Sequence, residues 1–309
     1  MDILAQQIAN GLILGSIYAL IALGYTMVYG ILGLINFAHG EVVMVGAMVA
    51  ISVITLLAGS APELNGLLIV SAGLFVAVPC CALLGFSIER IAYRPLRNAP
   101  RLAPLITAIG VSIVLQNLAM IYWGRGYQPF PPVLPQDTFT LFGAVLTPVK
   151  AAILGVSLLL MLVLWLLIER TKLGRAMRAT AQNPRAAQLM GVDTDRIIAA
   201  TFIIGSMLGA VAGVMVSANY GQADPYMGFI LGLKAFSAAV LGGIGNLGGA
   251  VLGGLLLGLI ESLGAGYIGD LTGGVLGSHY QDIFAFLVLI AVLVFRPSGL
   301  LGERVAERA

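Results

Sequence analysis

Apolar runs near or above the roughly 18 residues that read as a membrane span recur from one end of this chain to the other. The pattern places candidate spans at about 8–33, 42–58, 66–87, 103–123, 149–168, 197–217, 229–244, 247–265 and 282–295. The segments around 33–46 and 241–254 are rich in Gly and read as broken or re-entrant helices, so the pattern is compatible with eight to ten spans. The expected fold is an all-α, polytopic transmembrane bundle forming a single domain over residues 1–309. Between 124 and 148 the run Pro129, Pro131, Pro132, Pro135 and Pro148 is too dense for a helix interior and predicts an extended or turn-rich loop.

Composition agrees with that pattern. The chain has 309 residues, of which 59% are hydrophobic and 10% charged, against roughly 25% charged in soluble domains. Because the apolar runs fill the whole length, a single-anchor or monotopic protein is excluded. The first run has only Asp2 ahead of it, no basic segment and no small-residue cleavage site, so it reads as a retained helix. Cys80 and Cys81 are adjacent and are the only cysteines, which argues against a disulfide framework or a spaced metal site.

Charge placement says more than the net charge of +2. Arg90, Arg94, Arg97 and Arg101 share one loop; Arg170, Lys172, Arg175, Arg178, Arg185 and Arg196 share another; Arg296, Arg304 and Arg308 lie in the tail. The alternate loops carry mainly acids: Glu63, Asp137, Asp224, Asp270 and Asp282, with Arg125 as the exception. Cytoplasmic loops are enriched in Lys and Arg, so the three basic segments and the C-terminus are expected inside, and nine full spans would put the N-terminus outside. The bases thus serve orientation, and no nucleic-acid partner is expected.

Several chemistries find no support. None of the three lysines follows a Gly, so there is no phosphate-binding Gly-Lys pair of a P-loop ATPase. His39 and His279 are 240 positions apart and form no zincin-like pair. With no convincing catalytic cluster in the spans, neither an enzyme, a metal site nor a cofactor is expected.

Three motifs carry information. In "INFAHGEVVMVGA", residues 35–47, Asn36, His39 and Glu41 stand between apolar stretches, where polar groups are costly and face a cavity or partner. A wet interfacial turn with Asn36 as a helix cap accounts for the same letters, and the residues leave both open. In "AAVLGGIGNLGGAVLGGLLLGLI", residues 238–260, the density of Gly242, Gly243, Gly245 and Gly249 around Asn246 favours a helix break, while Gly253 and Gly258 read as close helix packing. The two segments are faintly alike. Interrupted helices at corresponding places in two halves point to a transport site, which makes Asn36, His39, Glu41, Gly242, Gly243, Gly245 and Asn246 candidate pathway residues. Bulk at Gly243 or Gly245 is therefore expected to harm transport more than bulk at Gly258.

The third motif lies in the basic loop 171–196, long enough for a short helix and little else. Asn183 suits an N-cap, Pro184 the first helical position and Gly191 the residue after the last turn, so 184–190 should form about two turns. Arg185 and Gln188 are polar, Ala186 and Ala187 small, and Leu189 with Met190 gives an apolar end. Such a helix either rests on the membrane surface or fits a groove on a cytoplasmic partner.

"GYTMVYGILGLINFAHGE", "SIERIAYRPLR", "LGRAMRATAQNPRAAQLMGVDTDRI", "KAFSAAVLGGIGNLGGAVLGGLLLGLIE" and "RPSGLLG" together resemble the permease subunits of ABC importers for branched-chain amino acids, the LivH type. The resemblance runs nearly the whole length and is weakest over 124–148. It implies a compact importer fold of two related halves. It also implies a second permease, of LivM type or a second copy of this chain, two cytoplasmic ATPase subunits and a periplasmic amino-acid-binding protein. The short helix with Asn183, Pro184, Arg185, Ala186, Ala187, Leu189, Met190 and Gly191 would be the ATPase-coupling helix. Related permeases serve urea and short amides, so the substrate is the least fixed part. An ion-coupled transporter, with Glu41, Lys234 and Glu261 as relay groups, and a structural subunit without a pathway are the competing readings. Lys234 is expected to snorkel to the outer interface, and Glu261 to be an exposed interfacial acid.

Overall fold

A computed structural model describes residues 2–61, 63–97, 99–100, 102–141, 143–271 and 281–302. Arg101, His279, Arg304 and Arg308 lie outside these, as do the side chains of Asp2 and Asp270. The helices are α1 Asp2–Leu32, α2 His39–Ser60, α3 Gly66–Ser87, α4 Leu102–Trp123, α5 Pro148–Arg170, α6 Lys172–Gln182, α7 Pro184–Leu189, α8 Thr194–Tyr220, α9 Met227–Gly242, α10 Leu247–Leu271 and α11 Gln281–Phe295. Among the described residues, seven of them are long and apolar enough to cross a membrane; α9 and the apolar part of α11 are shorter. Together they match the nine expected segments. The basic loop holds two helices, α6 and α7, where the sequence reading allowed little beyond one. Thr171 caps α6 by accepting from Gly174 N at 3.1 Å, a local signal that the long apolar pattern before it overshadows.

The proline-rich connection folds as expected, without a helix. Its strands are β1 Gln128–Pro129, β2 Phe139–Leu141 and β3 Ala144–Leu146, with β2 antiparallel to β3. β1 pairs with β4, Gln222–Ala223, between α8 and α9, so the loop straps one end of the bundle. Gln6 of α1 also exchanges hydrogen bonds with the Val145 backbone. The start of α1 therefore shares this end.

The opposite end collects the basic segments. The α3 helix runs on into a π-helical turn, Ile88–Tyr93, and a 3-10 turn, Arg94–Leu96. The Tyr93 hydroxyl reaches Asn36 Oδ1 at 3.1 Å, just beyond α1. Arg94 and Arg97 both pair with Asp195 at the start of α8. The C-terminal residues close over the α9–α10 turn, Leu300 N donating to Leu241 O and Leu301 N to Gly242 O.

At the centre, α1 is almost wholly buried, packed by α5, α8, α9 and α10. In lipid, tails are as apolar as Leu, so helix contact depends on close packing of small residues. Gly11, Gly15 and Ala19, each four apart, present one face of α1 to Gly254, Leu255 and Gly258 of α10. A Cβ added at Gly15 would stand 2.7 Å from Leu255 Cα, and one at Gly254 2.5 Å from Ala19 Cα. Gly253 is equally filled, by the Ala238 carbonyl of α9. The packing reading of Gly253 and Gly258 holds.

Candidate functional site

Residues 33–38 leave the end of α1 and turn back into the bundle, because α2 begins well inside it. His39 lies against Gly24, eight residues before the end of α1, or about 12 Å at 1.5 Å per residue. Asn36, His39 and Glu41 are all buried, so the wet-turn reading fails. Asn36 does support the turn locally, its Oδ1 accepting from Ala38 N at 3.2 Å. Two glycines of α9, Gly228 and Gly232, let the start of α2 approach; a Cβ at Gly232 would come within 2.9 Å of the Tyr25 hydroxyl. The His39 ring meets Tyr25 edge-on at 4.9 Å, and Nε2 has no hydrogen-bond partner among the described residues. Glu41 Oε1 accepts from Ser112 Oγ of α4 at 3.1 Å, while Oε2 has no partner among the described residues. These three residues are thus a nest of buried polar groups spread over the break between α1 and α2 and the first turn of α2.

The second Gly-rich segment is also interrupted, but differently. The chain turns tightly at 243–246 and α10 runs back beside α9. Gly243 has φ 109° and Gly245 φ 94°, conformations that side chains disfavour. Asn246 Oδ1 accepts from Gly249 N at 3.0 Å as an N-cap, and its Nδ2 donates to Leu301 O at 3.0 Å. Gly242 packs on Gly249, and Gly243 on Gly302 of the tail. Gly245 instead borders a cavity of about 80 Å³ with Thr26 and Gly30 of α1 and Arg178 of α6. The candidate pathway residues thus fall into two groups, the nest around the start of α2 and this clamped hairpin.

The α7 helix has the expected caps. Asn183 Oδ1 accepts from Ala186 N at 3.0 Å, Pro184 opens the helix, and Gly191 ends it with φ 84°. Val192 N donates to Ala187 O and Gly191 N to Gln188 O, the Schellman pattern. Ala187 is buried toward the bundle and Gln188 Nε2 donates to Thr194 Oγ1 at 2.7 Å. Leu189 and Met190 are 89% and 84% exposed. Beside α7, a groove of about 780 Å³ runs past Arg185 to Arg94, Arg97 and Asp195. Leu189 and Met190 thus stand clear of the bundle as an exposed apolar tip on a short helix capped at both ends.

Two charge clusters escaped the sequence reading. Glu89, buried in the π-helical turn, pairs with Arg97, which also holds Asp195. An acid within a loop of arginines was the available signal. The other cluster overturns the expectations for Lys234 and Glu261. Lys234 is 8% exposed and Glu261 2%, and they pair at 3.2 Å. Lys234 does not snorkel because Asp282 of α11, at 2.7 Å, and the Tyr18 hydroxyl of α1 enclose its ammonium. Glu261 is not interfacial because Tyr18 Oη donates to its Oε2 at 2.8 Å inside the helix packing.

A bundle of apolar helices with interrupted spans, buried polar groups at a helix break and a short capped helix on its arginine-rich end is that of a polytopic membrane permease. The chain belongs to the family described as branched-chain amino acid transport system / permease component, which it matches over residues 7–293. It is 47% identical over 307 residues to the high-affinity branched-chain amino acid transport system permease protein BraD of Pseudomonas aeruginosa, covering 98% of this chain and 97% of that protein. Identity to the high-affinity branched-chain amino acid transport system permease protein LivH of Escherichia coli K12 is 46%, with the same coverage. The probable branched-chain amino acid transport permease protein LivH of Methanocaldococcus jannaschii is 30% identical, over 97% of this chain and 94% of its own length. No solved structure matches the chain.

Proposed function

We propose that this chain is the transmembrane subunit of an ATP-binding-cassette importer that passes leucine, isoleucine and valine across a bacterial inner membrane. The similarity to BraD and LivH supports the substrate class. The arginine-rich end, with α6, α7 and the C-terminal residues, faces the cytoplasm by the positive-inside rule, which leaves the start of α1 and the β1–β4 strap outside. The chain conducts and partners drive it: a second permease of LivM type or a second copy, two ATPase subunits below, and an amino-acid-binding protein above.

The observation that carries this reading is α7. A secondary transporter needs no docking knob, whereas Leu189 and Met190, held clear of the bundle by a helix capped at both ends, suit a groove on an ATPase. Uptake of labelled leucine by cells carrying the transporter tests it. Uptake is expected to stop with vanadate and to survive a protonophore. The reverse pattern would assign the chain to ion-coupled transport, with the buried Lys234–Glu261 pair as its relay.

A further inference from the structure

At the end of the bundle away from the arginines, a cavity of about 250 Å³ opens between α1, α8 and α9. Its wall includes Val216, Met227 and Leu231, Asp224 lines it from the loop after β4, and Tyr18 and Lys234 bring in the buried charge cluster. The space is smaller than the roughly 300–1,000 Å³ of drug-sized sites and suits a small metabolite.

Its charges are arranged for a molecule carrying both signs. Asp224 Oδ1 accepts from Tyr226 N at 2.8 Å, which leaves its other oxygen for a cation. Lys234 is one ammonium against two carboxylates, and these are held unequally. Glu261 is buried and bonded to Tyr18 as well, whereas the Asp282 side chain is 41% exposed and tied in only through Lys234 among the described residues. A carboxylate entering the cavity can take the place of Asp282 on Lys234 without disturbing the Glu261–Tyr18 bond.

We propose that this cavity is a receiving site for a zwitterionic amino acid with an aliphatic side chain. Lys234 takes the α-carboxylate, Asp224 the α-ammonium, and Val216, Met227 and Leu231 the side chain. The site rests on the amino-acid permease reading above and adds to it the place where the substrate first meets this chain.

The test uses membranes holding the assembled transporter with Ile230→Cys, since Ile230 lines the cavity and is exposed. Labelling by an impermeant thiol reagent, corrected for the parent chain, is expected to slow about tenfold or more with leucine. Leucinol, which lacks the carboxylate, and 4-methylpentanoate, which lacks the ammonium, are expected to protect far less, because a site built around buried polar groups rejects a ligand that leaves them unpaired. Val216→Trp, which fills the cavity, should cut uptake about tenfold at equal membrane abundance and equal recovery of folded protein by size exclusion. Labelling unaffected by leucine, or full uptake with Val216→Trp, overturns the proposal. ATP-dependent leucine uptake by the parent transporter reports separately on the permease reading, so a transporter that imports leucine without protecting Ile230→Cys refutes the cavity alone.

Discussion

Lys234 of α9 and Glu261 of α10 face each other at 3.2 Å within the helix packing, 27 positions apart along the chain. Removing one partner of a buried pair leaves the other charge uncompensated, at about 3–5 kcal/mol. Lys234→Met strands two carboxylates, whereas Glu261→Gln leaves Lys234 with Asp282. Lys234→Met is therefore expected to lower the thermal midpoint of the purified protein more than Glu261→Gln. A Lys234→Met midpoint equal to that of the parent chain would show that the pair does not hold α9 to α10.

The close approach at Gly258 changes the ranking of glycine substitutions. A Cβ there has no room against Gly15 of α1, and both sides of the contact are backbone. Gly258→Leu is expected to reduce the amount of folded protein in the membrane. Gly245→Ala meets no atom and bears only the strain of its positive φ, about 1–2 kcal/mol. Transport by Gly245 and Gly243 variants is thus comparable with Gly258 variants only per folded molecule, measured by size-exclusion recovery beside uptake. Normal recovery of Gly258→Leu would contradict the α1–α10 packing.

Arg97 bridges Glu89 of the π-helical turn and Asp195 at the start of α8. Arg97→Met isolates the buried Glu89 and leaves Asp195 with Arg94 alone, so a loss of about 3 kcal/mol or more is expected. Glu89→Gln in the same chain should recover part of it, because a neutral side chain tolerates burial better. Thermal midpoints of the single and double variants give the coupling. A double variant no more stable than Arg97→Met would separate Glu89 from the bridge.

For α7, the shape of the knob is expected to matter more than its charge. Met190→Asp should leave membrane abundance unchanged, because Met190 is exposed and supports no core. Co-purification of the ATPase and leucine uptake should both fall by about tenfold or more, since a charge buried at an apolar contact costs several kcal/mol, about 2–5. Arg185→Gln should change little. Normal co-purification and uptake with Met190→Asp would place α7 on lipid.

Much of the fold is legible because long helices and their caps are local. Thr147 with Pro148, and Asn183 with Pro184, announce the starts of α5 and α7 within a few letters, and apolar length announces the spans. The prolines of 124–148 announce the absence of helix just as directly. The partners of Lys234, Glu261 and Glu89 are not legible, because pairing depends on which helices become neighbours after folding. Taken singly, each charge looks like a residue at a span edge. The nest of Asn36, His39 and Glu41 lay between these cases: the letters showed polar groups between apolar runs, but only the return of residues 33–38 into the bundle decides that they are dry.

The clamp of residues 300–301 on the α9–α10 turn has a consequence for biosynthesis. Leu241 and Gly242 present carbonyls that are satisfied by Leu300 and Leu301, some sixty residues later in the chain. An unpaired backbone group in or near hydrocarbon is costly, so during translation this hairpin waits half-finished until the tail emerges. Completion of the α9–α10 turn is thereby tied to the emergence of residues 300–301. A polypeptide stopped at Pro297 is expected to insert all its spans yet stay sensitive to proteases at 243–246, a difference that places a quality checkpoint at residues 300–301.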